Sequence, residues 1–210
     1  MIVNPEIEQY LDSLLPPRDE VLAEMESLAA ARHIPIIGPA VARILAQQVM
    51  VSGAKRIFEL GSAIGYSTIW LARAAGPDAE VHYSDGNPEN AAQAKRYFER
   101  AAVASNIHIH VGDALASLAA TPGEFDLIFN DVDKEGYPAV LQAVPPRLKR
   151  GGLFITDNTL WHETVLHPTE ASDRAVAQFN RQLYDFQQFF TTLLPIRDGL
   201  TVSVKLTDQA

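Results

Sequence analysis

From residue 55 to residue 156 the hydrophobic period of this chain switches back and forth between strand-like and helical, and that alternation restricts its fold more than any other feature. Arg56-Ile57-Phe58-Glu59-Leu60 is a short apolar run stopped by Gly61, and a helical pattern through Ile69, Trp70 and Leu71 follows it. The pairing recurs with a strand at 80–84 before a helix at 88–104, a strand at 107–111 before a helix at 114–119, and a strand at 125–130 before a helix at 137–148. Gly151-Gly152 reads as a turn into a buried strand at 153–156, residues 157–173 as a polar surface loop, and residues 174–186 as a helix. Alternating strands and helices predict an α/β fold, a doubly wound and mostly parallel sheet with helices on both faces. The end of the chain alternates phenylalanine with threonine, then runs through residues 200–206 in strand fashion, which predicts an antiparallel hairpin turning at 195–199 and brings the sheet to about seven strands.

Ahead of the sheet, residues 4–52 carry helical spacing. Ile7, Tyr10, Leu11 and Leu14 share one face; Val21, Leu22, Met25, Leu28 and Ala29 share another after Pro16-Pro17; a third helix spans 38–50 and stops at Ser52-Gly53. With 210 residues, 47% of them apolar, the chain suits one domain over 1–210, divided into a helical N-terminal extension (1–52) and a sheet core (55–206). The absence of cysteine excludes disulfides, thiolate metal sites and a cysteine nucleophile. A net charge of -9 disfavours nucleic acid as a partner, and no apolar run spans a bilayer, so a cytoplasmic protein acting on a small molecule is expected.

In open parallel sheets ligands gather beyond the carboxyl ends of the strands, so the residues that follow each strand hold the functional information. After the first strand, Gly61-Ser62-Ala63-Ile64-Gly65-Tyr66-Ser67 offers glycines for close backbone approach and a helix N-terminus with free N–H groups. A dinucleotide fingerprint needs Gly-x-Gly-x-x-Gly; Ala63 stands where its second glycine belongs, which counts against an NAD-dependent oxidoreductase. Asp85 follows the second strand, placed either to accept from the hydroxyls of a ribose or to serve as a solvated turn residue. Asp113-Ala114 follows the third, where Asp113 meets an adenine amino group or caps a helix.

The fourth and fifth strands end in Asn130-Asp131-Val132-Asp133-Lys134 and Asp157-Asn158. If these strands are neighbours, Asp131, Asp157 and the Asn158 carbonyl make an oxygen-only set suited to magnesium or another hard divalent ion. Successive strand residues face opposite ways, so joint ligation requires Asp157 and Asn158 to lie in the turn beyond the strand. Lysine is a poor base at neutral pH, but a neighbouring divalent cation disfavours its charged form, so a metal and Lys134 make chemical sense together. His108 and His110 point to one side of a strand without an identifiable third ligand and fit a sheet-surface role. Trp161 and His162, in the loop after Asp157-Asn158, are candidate substrate contacts.

Taken together, Phe58-Glu59-Leu60-Gly61 with Gly65-Tyr66-Ser67, Asp131-Val132-Asp133-Lys134-Glu135-Gly136-Tyr137, Gly151-Gly152, Asp157-Asn158-Thr159-Leu160-Trp161 and Asp198-Gly199-Leu200-Thr201 resemble the cation-dependent class I O-methyltransferases, which include catechol and caffeoyl-coenzyme A O-methyltransferases. The resemblance covers residues 18–206 and implies a Rossmann-like fold, S-adenosylmethionine (SAM) as methyl donor and a small hydroxylated acceptor. It implies a cofactor site of Glu59, Gly61, Tyr66, Ser67, Asp85, Asp113, Ala114 and Asp131, a metal held by Asp131, Asp157 and Asn158, Lys134 as catalytic base with Asp131 beside it, and a homodimer. The chain departs from the family in carrying Asp85 where relatives often have glutamate, Glu163 where they often have glycine, and no glutamate in 191–195, where the catechol enzyme has one that orients the diol. The other readings are the NAD-type oxidoreductase and a protein that kept the cofactor pocket without turnover.

Overall fold

The computed structural model describes residues 4–206. Three helices open the chain: α1 (Pro5–Ser13), α2 (Glu20–Arg32) and α3 (Gly38–Ser52). Asn4 caps α1 by accepting from the Glu6 N–H, and Asp19 caps α2 by accepting from Val21 and Leu22. Gly53, in the left-handed conformation, ends α3.

Seven strands follow: β1 (Arg56–Leu60), β2 (Glu80–Asp85), β3 (Ile107–Val111), β4 (Phe125–Asn130), β5 (Leu148–Thr156), β6 (Phe189–Leu194) and β7 (Leu200–Lys205). Helices α4 (Tyr66–Ala75), α5 (Pro88–Arg100), α6 (Ala114–Ala120), α7 (Tyr137–Ala143) and α8 (Ala171–Asp185) are interleaved with them. They form one sheet in the order β3-β2-β1-β4-β5-β7-β6. The first five strands run parallel and β7 joins β5 and β6 antiparallel, as the period changes predict. The order reverses between β1 and β4, which opens a crevice at their carboxyl ends.

Alternate residues of the central strands feed two cores. Ile57, Val81, Leu127, Phe129 and Ile155 pack beneath α2 to α5; Phe58, Ile128 and Phe154 pack beneath α6 to α8, where Phe179 meets Tyr137 and Phe154 edge-on. Each such side chain contributes about 1.5–3 kcal/mol on burial, so the central strands are the part of the molecule least free to move.

Four boundaries differ most from the expectations. The helix predicted over 137–148 stops at Ala143, because Pro145 and Pro146 lack the N–H groups that would continue it; a short 3-10 turn, Pro145–Arg147, takes its place. Strand β5 therefore starts at Leu148, and Gly151-Gly152 lies inside it at a register shift instead of preceding it. A Cβ on Gly152 would fall 2.8 Å from the Lys149 carbonyl oxygen, so this irregular pairing needs glycine. Helix α5 ends at Arg100, and α8 starts at Ala171, where Glu170 and Asp173 form a capping box inside the predicted loop. Among the described residues no helix is long and apolar enough to cross a membrane.

Candidate active site

The ends of β1, β2, β4 and β5 converge on the crevice. Gly61 takes φ +79°, and a Cβ there would lie 2.6 Å from the Asp131 carbonyl oxygen, so glycine allows the β1 turn and the β4 end to meet. The Asp131 N–H donates to Leu60 O (2.8 Å) and the Asp157 N–H to Asn130 O (3.1 Å), which ties the three turns together.

Asp131 and Asp157 directly follow the paired residues Asn130 and Thr156. Burial raises the pKa of both carboxyls; for Asp157 burial and the neighbouring Asp131 charge push it up to about 7, with Arg197 and Lys134 only partly offsetting them. Lys134 reaches back to Asp131 Oδ1 at 3.0 Å and to Val132 O at 3.3 Å, and its Nζ lies 5.3 Å from the ring centroids of Tyr137 and Trp161. Only 10% of the Lys134 side chain is exposed, so its amine is enclosed by the site and does not extend into solvent from an open loop. Tyr137, fully buried, donates its hydroxyl to the Asp157 carbonyl (2.6 Å) and fixes the turn from below. Asn158 adopts φ +54°, so Asp157 and Asn158 both lie beyond β5, the condition for acting on one ligand. Among the described residues no three histidine, cysteine or carboxylate side chains form a ligand set, so a cation here would take two carboxylates, the Asn158 amide oxygen and oxygens from outside the protein. The donor chemistry fits a hard divalent ion: two crowded carboxylates, whose charges Lys134 and Arg197 offset only in part, offer oxygen ligands.

On the opposite side of the crevice the predicted cofactor residues divide into two groups. Gly61, Asp85, Asp113, Ala114 and Asp131 stand at or just beyond the carboxyl ends of β1 to β4. Asp85 Oδ2 accepts from the Ala63 N–H (2.9 Å), while its Oδ1 accepts from Asn87 N (2.8 Å) and Asn90 Nδ2 (3.1 Å), so Asp85 shapes the β1 turn before it meets any ligand. Asp113 caps α6 through the Ala116 N–H (2.7 Å), which leaves its second oxygen outward. Glu59, Tyr66 and Ser67, by contrast, do not present their side chains. Glu59 is fully buried, accepts from the Ser67 and Thr68 hydroxyls, and has its pKa pushed up to about 7 by burial. Tyr66 turns away toward α2 and donates to Glu26 Oε1 (2.6 Å), which Arg18 holds with bonds of 2.9–3.1 Å. These residues support the turn from behind; at Tyr66 and Ser67 it is the α4 backbone that heads the crevice.

On the acceptor side, Trp161 stands beside Lys134, and the His162 side chain, 74% exposed, lies 3.5 Å from Asp198 and 4.9 Å from the Trp161 ring. Of two further residues in this region, Arg197 escaped the sequence reading and Asp198 entered it only as part of a motif, without a role. Asp198 accepts from the His162 N–H (2.5 Å) through Oδ1, and Arg197 sends its guanidinium across to the start of α3; the Asp198-Gly199 turn was the only signal for either.

Comparison with known proteins decides the class of chemistry. Residues 16–206 match the family model described as O-methyltransferase. The chain belongs to the O-methyltransferase family. It is 33% identical over 187 residues to a catechol O-methyltransferase of Mycobacterium tuberculosis, covering 85% of this chain and 83% of the relative. It is 29% identical to caffeoyl-CoA O-methyltransferase 1 of Zea mays, over 96% and 85% of the two chains. The O-methyltransferase from Bacillus cereus in complex with SAH superimposes with a TM-score of 0.86 at 27% identity, over 95% of this chain and 97% of that one. The family is one of methyl transfer to oxygen, so of the alternatives weighed from sequence the oxidoreductase gives way to this O-methyltransferase's own class.

Proposed function

We propose that this O-methyltransferase moves the methyl group of SAM to one hydroxyl of a small catechol-like acceptor, with a divalent cation such as magnesium at Asp131, Asp157 and Asn158. The observation that carries the reading is the meeting of two mutually repelling carboxylates, Asp157 buried and Asp131 half-buried, with Lys134 at the switch point of the sheet. SAM-bound and SAH-bound structural relatives support the donor. When bound, SAM supplies an electrophilic methyl carbon, and the cation supplies charge that favours the ionised acceptor hydroxyl.

The remaining work falls to the chain. Asp131 Oδ1 holds Lys134 Nζ at 3.0 Å, which aims the amine into the crevice beside Trp161. With a divalent cation alongside to disfavour its charged form, Lys134 would act as a neutral amine that takes the acceptor's hydroxyl proton as the methyl group passes from SAM, leaving SAH, and would then release that proton to solvent. Trp161 gives an aromatic acceptor a flat wall. Gly61 and the α4 N-terminus let the donor approach backbone N–H groups, and Asp85 and Asp113 offer their remaining lone pairs to its nucleoside. Most of the acceleration comes from holding donor and acceptor in line, since the displacement needs no covalent help from protein.

The same reading includes a homodimer joined through the N-terminal helices, where Tyr10, Leu14, Met50 and Val51 leave 59%, 61%, 67% and 79% of their surface exposed. The test of function is incubation with SAM and catechol, with magnesium and with a chelator, followed by mass analysis. A product one methyl heavier, dependent on the cation, is expected; titration of SAM without turnover of any hydroxylated acceptor would leave a cofactor-binding protein instead.

A further inference from the structure

Arg197 lies in the turn between β6 and β7 at φ +46°, a conformation unusual for a side chain of that size. The turn is closed by the Gly199 N–H donating to Ile196 O (2.8 Å), and it is stitched to the metal-side loop by Leu160 N to Asp198 O (2.8 Å) and Thr159 N to Gly199 O (3.0 Å). From there the guanidinium crosses to the start of α3. Its Nη1 donates to Ile37 O and, at 3.3 Å, to Ile36 O. Gly38 makes the berth possible: a Cβ at that position would sit 2.5 Å from Nη1.

This docking uses one nitrogen of the fork. A guanidinium carries five N–H donors, and among the described residues Nε and Nη2 of Arg197 have no hydrogen-bond partner and no carboxylate pairs with the group. Nε and Nη2 form the side-on edge that grips a carboxylate with two parallel bonds. The group is therefore anchored at one end and open at the other. The Asp198-Gly199 backbone that follows it is hydrogen-bonded to Thr159 and Leu160, next to Asn158 and Trp161, which places Arg197 near the acceptor end of the crevice.

We infer that Arg197 is a specificity-determining residue, and that the acceptor is an ortho-dihydroxyphenyl compound bearing a carboxylate on its far end. This rests on the catechol-type reading of the site given above. The diol would face the Asp131 and Lys134 side and the acid the open edge of Arg197. A charge-assisted bidentate pair of this kind corresponds to about 10- to 100-fold in affinity.

The experiment compares protocatechuate and caffeate with their methyl esters, which keep the shape and remove the charge. Turnover is measured with SAM and magnesium, and binding by calorimetry to the SAH-loaded protein, for the wild type, Arg197→Gln and Arg197→Lys. The wild type is expected to prefer at least one acid over its ester by tenfold or more in kcat/KM and in affinity. That ratio should shrink in Arg197→Lys, which keeps charge without the fork, and vanish in Arg197→Gln. A residue that merely pins the hairpin would lower acid and ester together. An unchanged ratio in both variants, or equal use of acid and ester by the wild type, overturns the assignment and leaves methyl transfer standing. Failure of all four compounds to bind or to gain a methyl group overturns the catechol reading itself, and the role of Arg197 with it.

Discussion

Acid should unfold this protein partly through a single histidine far from the crevice. His82, 3% exposed, lies on β2 between Phe58 of β1 and His108 and His110 of β3, stacked at centroid distances of 5.5, 4.9 and 5.2 Å. Its Nε2 faces Glu80 Oε1 at 2.7 Å and its Nδ1 faces His110 Nε2 at 2.9 Å. Glu80 accepts only, so the neutral ring donates from Nε2 and receives the His110 proton at Nδ1. A cationic ring would have to donate at both positions while buried beside two more imidazoles. Burial, with smaller opposing help from Glu80, accordingly lowers the His82 pKa from 6.5 to about 4, and burial lowers that of His110 as well. Because the folded pKa lies below the unfolded one, the unfolded chain binds the extra proton first. Stability is intact above about pH 6.5 and drains as pH falls toward 4. The difference of 6.5 − 4 corresponds to about 3 kcal/mol at 1.36 kcal/mol per unit, a large part of a typical domain's stability of about 5–15 kcal/mol. His82→Phe keeps the stack with Phe58 and removes the titration. Urea unfolding at pH 7.5, 6.0, 5.0 and 4.5 should show the variant losing less stability than the wild type on acidification, by about 1 kcal/mol per pH unit through this window. Parallel curves for the two proteins would refute the reasoning.

Other consequences concern the crevice and the N-terminal helices. Lys134→Met should lower kcat by about 100- to 10,000-fold, the usual worth of a general base, and leave the affinity for SAM unchanged in calorimetry. Asp157→Asn removes a carboxyl whose charge burial and Asp131 disfavour, so without metal its Tm should rise above that of the wild type. The same variant should lose both turnover and any magnesium-induced gain in Tm, which differential scanning calorimetry would read directly. If the exposed face formed by Tyr10, Leu14, Met50 and Val51 joins two copies, Leu14→Glu should convert a dimer to a monomer in sedimentation velocity.

Much of this molecule was legible in its sequence because periodicity and turn chemistry are local. Strands β1, β3 and β4 begin and end where the apolar runs do, and Asp131 with Lys134 is brought together by a spacing of three residues. What the sequence concealed depended on partners distant along the chain. The direction of Tyr66 is set by Glu26, forty positions away, so a residue in the family's cofactor motif buries its side chain behind the turn. His82 could not be added to His108 and His110 without the β2 to β3 register, which places His82 against His108 and Ser84 against His110. The start of β5 was hidden because a glycine pair reads as a turn, whereas here it relieves a crowded strand irregularity.

The crevice divides its labour between two parts of the sheet. The residues proposed to hold the donor and a cation sit on the turns after β1 to β5, held by backbone bonds such as Asp131 N to Leu60 O and by cores that cannot shift without losing several buried aromatics. The acceptor side is built differently. Trp161, His162 and Glu163 all have positive φ, each costing about 1–2 kcal/mol for a residue with a Cβ. The strained run is held by Leu160 N and His162 N on Asp198, and Asp198 belongs to the antiparallel hairpin at the sheet edge. Changes in that hairpin therefore reach Trp161 and Arg197 first, through Asp198. A sheet arranged this way can alter which hydroxyl compound it accepts while the machinery that moves the methyl group stays fixed.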